Sequence, residues 1–276
     1  MSNIKCDVCP HLCNLREGQT GLCKARKNID GKIISINYGK ITSIGLDHIE
    51  KKPLSNFYSG SMILSVGSFG CNMDCPFCQN YSISTASEDT VITKSLLPLE
   101  LANMANNMKD KGNIGVAFTY NEPMIGYEFV RDTAIEIKKL GMKNVVVTSG
   151  CVFPHVLEEV LPFIDAFNID LKSFSKEQYK KLGGDLETVQ NFIIAAAKKS
   201  HVEITNLIVP GLNDSEKEME ALSSWISSVG RNIPLHISRF FPNRNMTDCK
   251  PTDVELLKKL YNIAKEKLEH VFLGNV

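Results

Sequence analysis

The sequence Gly70-Cys71-Asn72-Met73-Asp74-Cys75-Pro76-Phe77-Cys78-Gln79-Asn80 governs the interpretation of the whole chain. Its three cysteines, Cys71, Cys75 and Cys78, form a C-x3-C-x2-C array after an apolar, strand-like run at 62–66, and we call them the central triad. Thiolates this close can ligate one soft metal centre. Three thiolates around a cluster of four irons and four sulfides leave one iron without a protein ligand, whereas a purely electron-transferring cluster normally takes four. The array therefore predicts an iron that is open to a substrate.

A zinc knuckle is the main alternative for the central triad. It would need a fourth ligand, and zinc knuckles usually show pairs of cysteines separated by two residues. A disulfide would leave one of the three thiols over. The cluster is therefore the favoured interpretation.

The composition of the 276-residue chain excludes several classes of protein. Hydrophobic residues make up 43% of it and the formal net charge is zero, so we expect one large domain with a small appendage and neither a nucleic acid nor a membrane as partner. No apolar run approaches the roughly 18 to 20 residues that span a bilayer, and the polar start lacks a signal-peptide core. Seven of the nine cysteines lie in two tight groups, which is typical of a reducing compartment. We expect a cytoplasmic monomer.

A second group of cysteines, Cys6, Cys9, Cys13 and Cys23, forms the amino-terminal group. A segment this short and polar needs a metal cross-link to order it. Four thiolates suit a tetrahedral zinc ion and a closed iron–sulfur cluster equally well, and the sequence does not separate the two. Surface thiols, or ligation in which His11 takes part, are the alternatives. A zinc module that contacts nucleic acid is disfavoured, because only one small basic cluster and no stacking aromatic residue accompany the group.

Hydrophobic patterning predicts an α/β fold, namely a partial (β/α)6 TIM-like barrel. Short apolar runs predict buried strands at 62–66, 114–118, 144–148, 166–170, 202–209, 234–238 and 271–273. Helical periodicity lies between them, with capping boxes predicted at Ser215 and Thr252. A β-hairpin is predicted within 32–46 around Gly39-Lys40. It would join an amino-terminal module, residues 1–58, to the barrel, residues 59–276.

Polar side chains follow five successive predicted strands. Ligands of parallel α/β folds collect at the carboxyl ends of the strands, so we expect these side chains to face the central triad. The candidates are Asn121, Glu122, Thr148, Asp170, Lys172 and His236. Simpler roles are open to each of them, as helix caps, as ion pairs with neighbours or as a buried structural histidine. Five polar strand ends are hard to explain by caps alone, and they favour a binding site.

At these motifs the chain resembles the radical S-adenosylmethionine (SAM) enzymes. In that family the amino and carboxylate groups of SAM chelate the open iron of a 4Fe-4S cluster. An electron then splits the sulfonium to give a 5'-deoxyadenosyl radical, which removes a hydrogen atom from the substrate. From about residue 71 to 236 the chain is similar to the activases of glycyl radical enzymes, typified by the pyruvate formate-lyase activating enzyme.

This resemblance implies a role for each matching position. Asn121-Glu122 stands where a Gly-Gly-Glu turn holds the methionyl amino group. Thr148 and Asp170 match positions that bind SAM or a monovalent cation, although Val147 replaces an acidic residue there. Lys172 and His236 match contacts to the methionyl carboxylate and ribose, and Phe77 and Asn80 match the adenine contact.

Motifs along almost the whole chain are similar to the AmmeMemoRadiSam-system subgroup. They include the Cys-Pro-His-x-Cys opening, Lys-Lys-Pro-Leu at 51–54, Tyr-Asn-Glu-Pro at 120–123, Asp-Leu-Lys-Ser-Phe at 170–174 and Leu-Gly-Asn-Val at 273–276. The amino-terminal cysteine group precedes the triad, whereas many activases carry their extra cysteines in an insertion after it. Because of that difference, the resemblance implies the radical chemistry of those activases more strongly than it implies their substrate.

Three functions follow from the residues and the resemblance. The first is a glycyl radical activase, which takes a hydrogen atom from a glycine of a partner protein and needs a one-electron reductant such as flavodoxin or ferredoxin. The second is radical modification of a peptide or small molecule. The third is a non-catalytic zinc scaffold that uses both groups of cysteines.

Overall fold

The computed structural model describes residues 3–276. The strands, in chain order, are β1 Ile4–Lys5, β2 Asn14–Leu15, β3 Arg26–Ile29, β4 Lys32–Ser35, β5 Lys40–Ile41, β6 Ser43–His48, β7 Met62–Gly67, β8 Lys94–Ser95, β9 Asn113–Phe118, β10 Lys143–Thr148, β11 Ala166–Asp170, β12 His201–Ile208, β13 Leu235–Arg239 and β14 Val271–Gly274. The α-helices are α1 Tyr81–Ser84, α2 Pro98–Asn106, α3 Tyr127–Lys139, α4 Pro154–Val160, α5 Lys176–Lys181, α6 Leu186–Ala196, α7 Glu216–Val229 and α8 Val254–Lys265.

One eight-stranded sheet carries the fold, in the order β14-β13-β12-β11-β10-β9-β7-β6. The seven strands from β7 to β14 that belong to it pair in parallel, and β6 pairs antiparallel with β7 along the edge. Helices follow most of these strands, so the connections are βα crossovers. Within residues 3–276 the sheet does not close on itself, since β14 and β6 are its two edges. The predicted partial barrel is confirmed.

Buried apolar side chains explain why the predicted strands form. Val145 and Val146 of β10 and Phe167 of β11 are completely buried, because helices cover one side of the sheet and the barrel interior lies on the other. A strand that is buried on both faces carries apolar residues on both, so its sequence lacks the strict alternation of apolar and polar residues seen in half-exposed strands. This pattern is strong enough that the predicted strands and the observed ones agree closely.

The hairpin predicted around Gly39-Lys40 is wrong. The hairpin at the amino-terminal side lies between β3 and β4, and its turn residues Asp30 and Gly31 have φ angles of 52° and 71°, as a tight hairpin turn requires. Gly39 is needed for another reason: a Cβ there would lie 2.6 Å from the carbonyl oxygen of Leu96, next to β8, which pairs with β5.

Residues 43–48 lie in the main sheet although they precede residue 58. The division into modules 1–58 and 59–276 stays a prediction.

Neither predicted capping box forms, although one of the two predicted caps does. Ser215 accepts a hydrogen bond from the backbone N–H of Glu218 at 3.2 Å and starts α7, but the Glu218 carboxylate accepts from Ser173 and from the backbone of Phe174 instead of closing the box. Helix α8, however, is capped by Asp253, one residue after the predicted Thr252. Thr252 is completely buried, and its hydroxyl donates to the carbonyl of Ile208 at 2.6 Å. A threonine that ties two segments together in the core is not free to cap.

The amino-terminal cysteine group packs against the main body. Val8 and Leu15 belong to the same hydrophobic core as the parallel strands, and the backbone N–H of Phe153 donates to the carbonyl of Val8 at 3.0 Å. Across residues 3–276, no helix combines the length and the apolar character that crossing a membrane demands.

Candidate active site

A cavity of about 270 Å³ lies at the carboxyl ends of the parallel strands. Its wall is built from the loop after β7 and from the ends of β9, β10, β11, β12 and β13. The wall contains the central triad and most of the polar residues that the strand-end argument predicted: Cys71, Cys75, Cys78, Phe77, Asn80, Asn121, Glu122, Thr148, Asp170 and Lys172. The topology therefore brings these residues together around one space.

The loop that carries the central triad begins with a close backbone approach. Gly70 has a φ angle of 88°, and a Cβ there would lie 2.4 Å from the carbonyl oxygen of Cys23. The next residue, Cys71, donates its backbone N–H to that same carbonyl at 3.1 Å. Glycine is required because no side chain fits between the two segments. The loop is thus held against the amino-terminal group.

Further contacts fix the rest of the loop. The guanidinium of Arg244 donates to the carbonyl oxygen of Cys75 at 2.7 Å and to the carboxylate of Asp74 at 2.6 Å. The backbone N–H of Asp74 donates to the carbonyl of Leu182 at 2.8 Å. The sulfur of Cys71 receives the backbone N–H of Met73 at 3.3 Å. These contacts hold the backbone of the loop and the sulfur of Cys71 in place.

Burial raises the pKa of two of the triad thiols, Cys71 and Cys75. Desolvation, reinforced by the nearby carboxylate of Glu122, raises the pKa of Cys71 well above its usual value. Desolvation also raises the pKa of Cys75 to about 11, against the opposing charge of Lys172. Metal ligation requires thiolates, so metal binding must displace these protons. A positively charged metal centre supplies the charge that makes thiolates stable there.

The residues present fit a 4Fe-4S cluster with one open iron. The three thiols of the triad line one cavity, and no fourth cysteine of residues 3–276 lines it with them. Across the described part of the chain, no three His, Cys, Asp or Glu side chains are arranged to hold a single metal ion. The rest of the wall combines polar and charged side chains, such as Glu122 and Lys172, with apolar ones, such as Phe77 and Val147, as is usual for a small-molecule cavity.

Glu122 is the most heavily used acceptor of the wall. One of its carboxylate oxygens accepts the backbone N–H of Met124 at 3.0 Å and the hydroxyl of Thr148 at 2.6 Å. The other accepts the backbone N–H of Ser149 at 2.8 Å and its hydroxyl at 2.7 Å. Glu122 therefore caps the short 3-10 helix that follows it, as the simpler interpretation held, and lines the cavity as well.

Asp170 and Lys172 form an ion pair on the cavity wall, with 3.0 Å between the lysine nitrogen and the carboxylate. Burial alone would lower the pKa of Lys172, but the charges of Asp170 and Cys75 raise it well above its usual value. Its backbone is also fixed, since its N–H donates to the hydroxyl of Tyr179 at 3.0 Å and its carbonyl accepts from Asn213 at 2.8 Å. A permanent cation thus faces the cavity.

The side chain of Asn121 supports the triad loop. It accepts the backbone N–H of Ser68 at 2.9 Å and donates to the carbonyl of Gly70 at 3.0 Å. Asn80 donates to the carbonyl of Tyr120 at 2.8 Å, and Phe77 is buried in the wall. Both asparagines line the cavity, and their side-chain amides form hydrogen bonds with the backbone of its wall.

His236 lies outside the cavity wall. Its Nε2 is 2.6 Å from the buried carboxylate of Glu203, which also contacts His201 and accepts the backbone N–H groups of residues 55–56. Burial alone would raise the pKa of Glu203, but these hydrogen bonds lower it to about 2. Because side chains alternate along a strand, Ser238 is on the same face as His236 and nearer the carboxyl end, and Ser238 does line the cavity. The expected ribose contact of His236 does not fit this placement.

Tyr120 is a wall residue with a fixed backbone that was not predicted from the sequence. Its φ angle is 72°, and Gly67 leaves room for its ring, since a Cβ at Gly67 would lie 2.8 Å from it. The Tyr120 hydroxyl donates to the carboxylate of Asp47 at 2.9 Å, and the buried amine of Lys52 is 2.9 Å from the same carboxylate. Burial alone would raise the pKa of Asp47, but Lys52 and Tyr120 lower it to about 2. The Lys-Lys-Pro-Leu motif thus supports the wall.

Arg244, Ser238 and Asn275 were missed as well. Ser238 could have been found by counting two residues on from His236 along the strand. Arg244 has no such signal, because it lies in an irregular segment between β13 and α8.

Comparison with known proteins identifies the chemistry of this arrangement. The family model described as the Radical SAM superfamily matches residues 65–226, which include the triad and the wall up to β12. An uncharacterized protein of Methanocaldococcus jannaschii is 38% identical over 279 residues, covering 100% of this chain and 82% of that protein. The pyruvate formate-lyase-activating enzyme of Clostridium pasteurianum is 26% identical over 214 residues, covering 72% of this chain and 89% of that enzyme.

A solved structure shares the fold. The crystal structure of Streptococcus suis SuiB bound to S-adenosylmethionine superimposes with a TM-score of 0.59 at 14% identity, covering 82% of this chain and 53% of that one. At this identity the likeness concerns the fold alone. The AmmeMemoRadiSam subgroup stays a prediction, because none of these relatives bears on it.

Proposed function

The chain is a member of the radical SAM superfamily, an enzyme of radical chemistry that uses a 4Fe-4S cluster and SAM, and we propose that it removes a hydrogen atom from the Cα of a glycine in a partner polypeptide. When bound, the cluster supplies the electron that splits SAM into methionine and a 5'-deoxyadenosyl radical. The similarity to an activating enzyme along 72% of the chain supports a protein substrate of this kind.

The opening of the cavity is the observation that carries this proposal. Gln79, Asn80 and Asn275 are exposed and line the cavity on its solvent side, while the triad and Lys172 line its interior. Glycine has no side chain and reaches backbone conformations closed to other residues, so a glycine on a flexible segment can enter such a mouth. A free-standing pocket for a small molecule is not needed for this reaction.

The wall residues have distinct roles under this proposal. The cation of Lys172 binds the methionyl carboxylate of SAM, and the carboxylate of Glu122 binds its ammonium group while Thr148 and Ser149 hold that carboxylate in place. Phe77 and Asn80 bind the adenine. Asn121 and Arg244 keep the triad loop in position. The monovalent cation expected near Asp170 stays a prediction, and Lys172 already neutralises that carboxylate.

Isotope transfer tests the substrate. The reconstituted enzyme would be reduced anaerobically with SAM and a candidate partner whose glycines carry deuterium at Cα. We expect one deuterium in the 5'-deoxyadenosine product and a glycyl doublet in the EPR spectrum of the partner. Deuterium-free 5'-deoxyadenosine from every candidate would contradict the proposal and would favour radical modification of a peptide or small molecule.

A one-electron donor of the flavodoxin or ferredoxin type and a cytoplasmic location complete the proposal. The isotope experiment uses a chemical reductant, so its outcome does not depend on the identity of that donor.

A further inference from the structure

The amino-terminal cysteine group has no part in the chemistry described above. Cys6, Cys9 and Cys23 are buried, Cys13 is half-buried, and all four are free thiols without a disulfide. Four free cysteines gathered in one short segment need an explanation, because buried thiols alone contribute little to the stability of a segment this polar.

The backbone folds the cysteines of the group into one compact segment. The backbone N–H of Cys6 donates to the carbonyl of Cys13 at 2.8 Å, and the backbone N–H of Leu12 donates to the carbonyl of Cys9 at 3.1 Å. A Cβ at Gly21, two residues before Cys23, would lie 3.5 Å from the sulfur of Cys13. Thiols gathered in so small a space form a ligand set for a soft metal centre.

A buried cation lies beside the group. Arg26 is only 2% exposed, and its guanidinium pairs with both carboxylate oxygens of Glu128 at 2.5 and 2.9 Å. Within residues 3–276 its Nε has no hydrogen-bond partner. Its backbone carbonyl accepts the N–H of Gly21 at 2.7 Å, beside the sulfur of Cys13. A buried N–H without a partner is costly, unless an anionic group occupies the space next to it. Thiolates and sulfides around iron are acceptors of that kind.

We propose that the amino-terminal cysteine group binds a closed 4Fe-4S cluster, distinct from the one at the central triad. Four cysteines ligate all four irons, so this cluster has no open position for SAM. A cluster suits the group better than one zinc ion. In a tetrahedral zinc site, Zn–S bonds of about 2.3 Å place the sulfurs about 3.8 Å apart. Within residues 3–276, no three Cys, His, Asp or Glu side chains are arranged to hold one metal ion.

The two centres would be neighbours. The carbonyl of Cys23 accepts the N–H of Cys71 at 3.1 Å, and the ring Nε2 of His11 is 2.7 Å from the carbonyl of Asn72. One hydrogen bond therefore links a residue of the amino-terminal group to a residue of the triad. Loss of the amino-terminal group will disturb the triad loop, so activity alone cannot test the proposal.

The decisive protein is the full chain in which the triad is removed, Cys71→Ala/Cys75→Ala/Cys78→Ala. After anaerobic reconstitution with ferrous iron and sulfide, we expect about four iron and four sulfide per chain. We also expect an EPR signal in the reduced protein that does not change when SAM is added, because no iron is open. Adding Cys6→Ser and Cys9→Ser should remove the iron, while adding Cys249→Ser should leave it.

Three results would overturn the proposal. They are a triad-free protein without iron, one that carries a single zinc ion per chain instead, and one whose signal changes with SAM. If the variant with Cys6→Ser and Cys9→Ser fails to fold, as circular dichroism would reveal, the iron content of the triad-free protein still decides. The result is independent of the substrate, so deuterium transfer can fail while this cluster is present.

Discussion

Replacing Glu122 with glutamine should destabilise the fold as well as the site. Each carboxylate oxygen of Glu122 accepts one backbone N–H and one hydroxyl. The NH₂ group of a glutamine would face two of these donors. The hydroxyl can rotate away, but the backbone N–H cannot, so one buried donor loses its acceptor. The remaining bonds also lose the charge of the acceptor.

The cost can be worked from these contacts. An unsatisfied buried donor costs about 1 to 3 kcal/mol, and hydrogen bonds to charged groups are stronger than neutral ones, so we expect Glu122→Gln to lower the free energy of unfolding by about 2 to 4 kcal/mol. For a chain of this size that corresponds to a fall in melting temperature of roughly 5 to 15 °C.

Urea unfolding of the metal-free protein, followed by circular dichroism, measures the effect without any cofactor. Ser149→Ala is the matched control, because it removes one hydroxyl and leaves both backbone donors paired. It should cost about 1 kcal/mol. If Glu122→Gln costs no more than Ser149→Ala, the four-bond description of this carboxylate is wrong.

Three further perturbations test the surroundings of the site. Lys52→Met removes the buried amine that pairs with the half-buried carboxylate of Asp47, which keeps Tyr120 as a partner, and should cost about 1.5 to 3 kcal/mol. The exposed neighbour change Lys51→Met should cost less than about 0.5 kcal/mol, and equal costs of the two changes in urea unfolding would refute the role of the buried amine. The carboxyl of Glu203 has a pKa of about 2, below its unfolded value of 4.5, so its stabilisation is complete above about pH 4.5 and is lost as the pH falls toward 2. Glu203→Gln should therefore flatten the fall in unfolding free energy between pH 5 and pH 3, to which this carboxyl contributes about 2 kcal/mol, and an unchanged slope would count against it. Arg244→Gln should speed the release of iron to a chelator by freeing the carbonyl of Cys75, and a release rate equal to wild type would show that the contact is dispensable.

The parallel strands could be predicted because their signal is local. Short, mostly apolar runs such as 144–148 and 166–170, bounded by turn residues, favour strands that are buried on both faces. The strand-end rule then placed Glu122, Asp170 and Lys172 around one cavity without any knowledge of the loops. This part of the site follows from topology.

What could not be predicted depends on contacts between distant segments. The turn at Asp30-Gly31 and the glycine at Gly39 look alike in sequence, and only the approach of Leu96 shows that the second serves a different pairing. His236 and Ser238 lie on the same face of β13. The register of β13 with β12 and β14 determines which of the two reaches the cavity at the carboxyl end of the strand. Arg244 reaches Cys75 across 169 positions of sequence.

The most direct test of the account is the yield of 5'-deoxyadenosine from the reconstituted protein under anaerobic reduction with SAM. We expect wild-type protein to form 5'-deoxyadenosine and methionine in equal amounts, and Cys75→Ala with the same treatment to form neither. Wild-type protein that carries iron and sulfide at the triad but leaves SAM intact would contradict it.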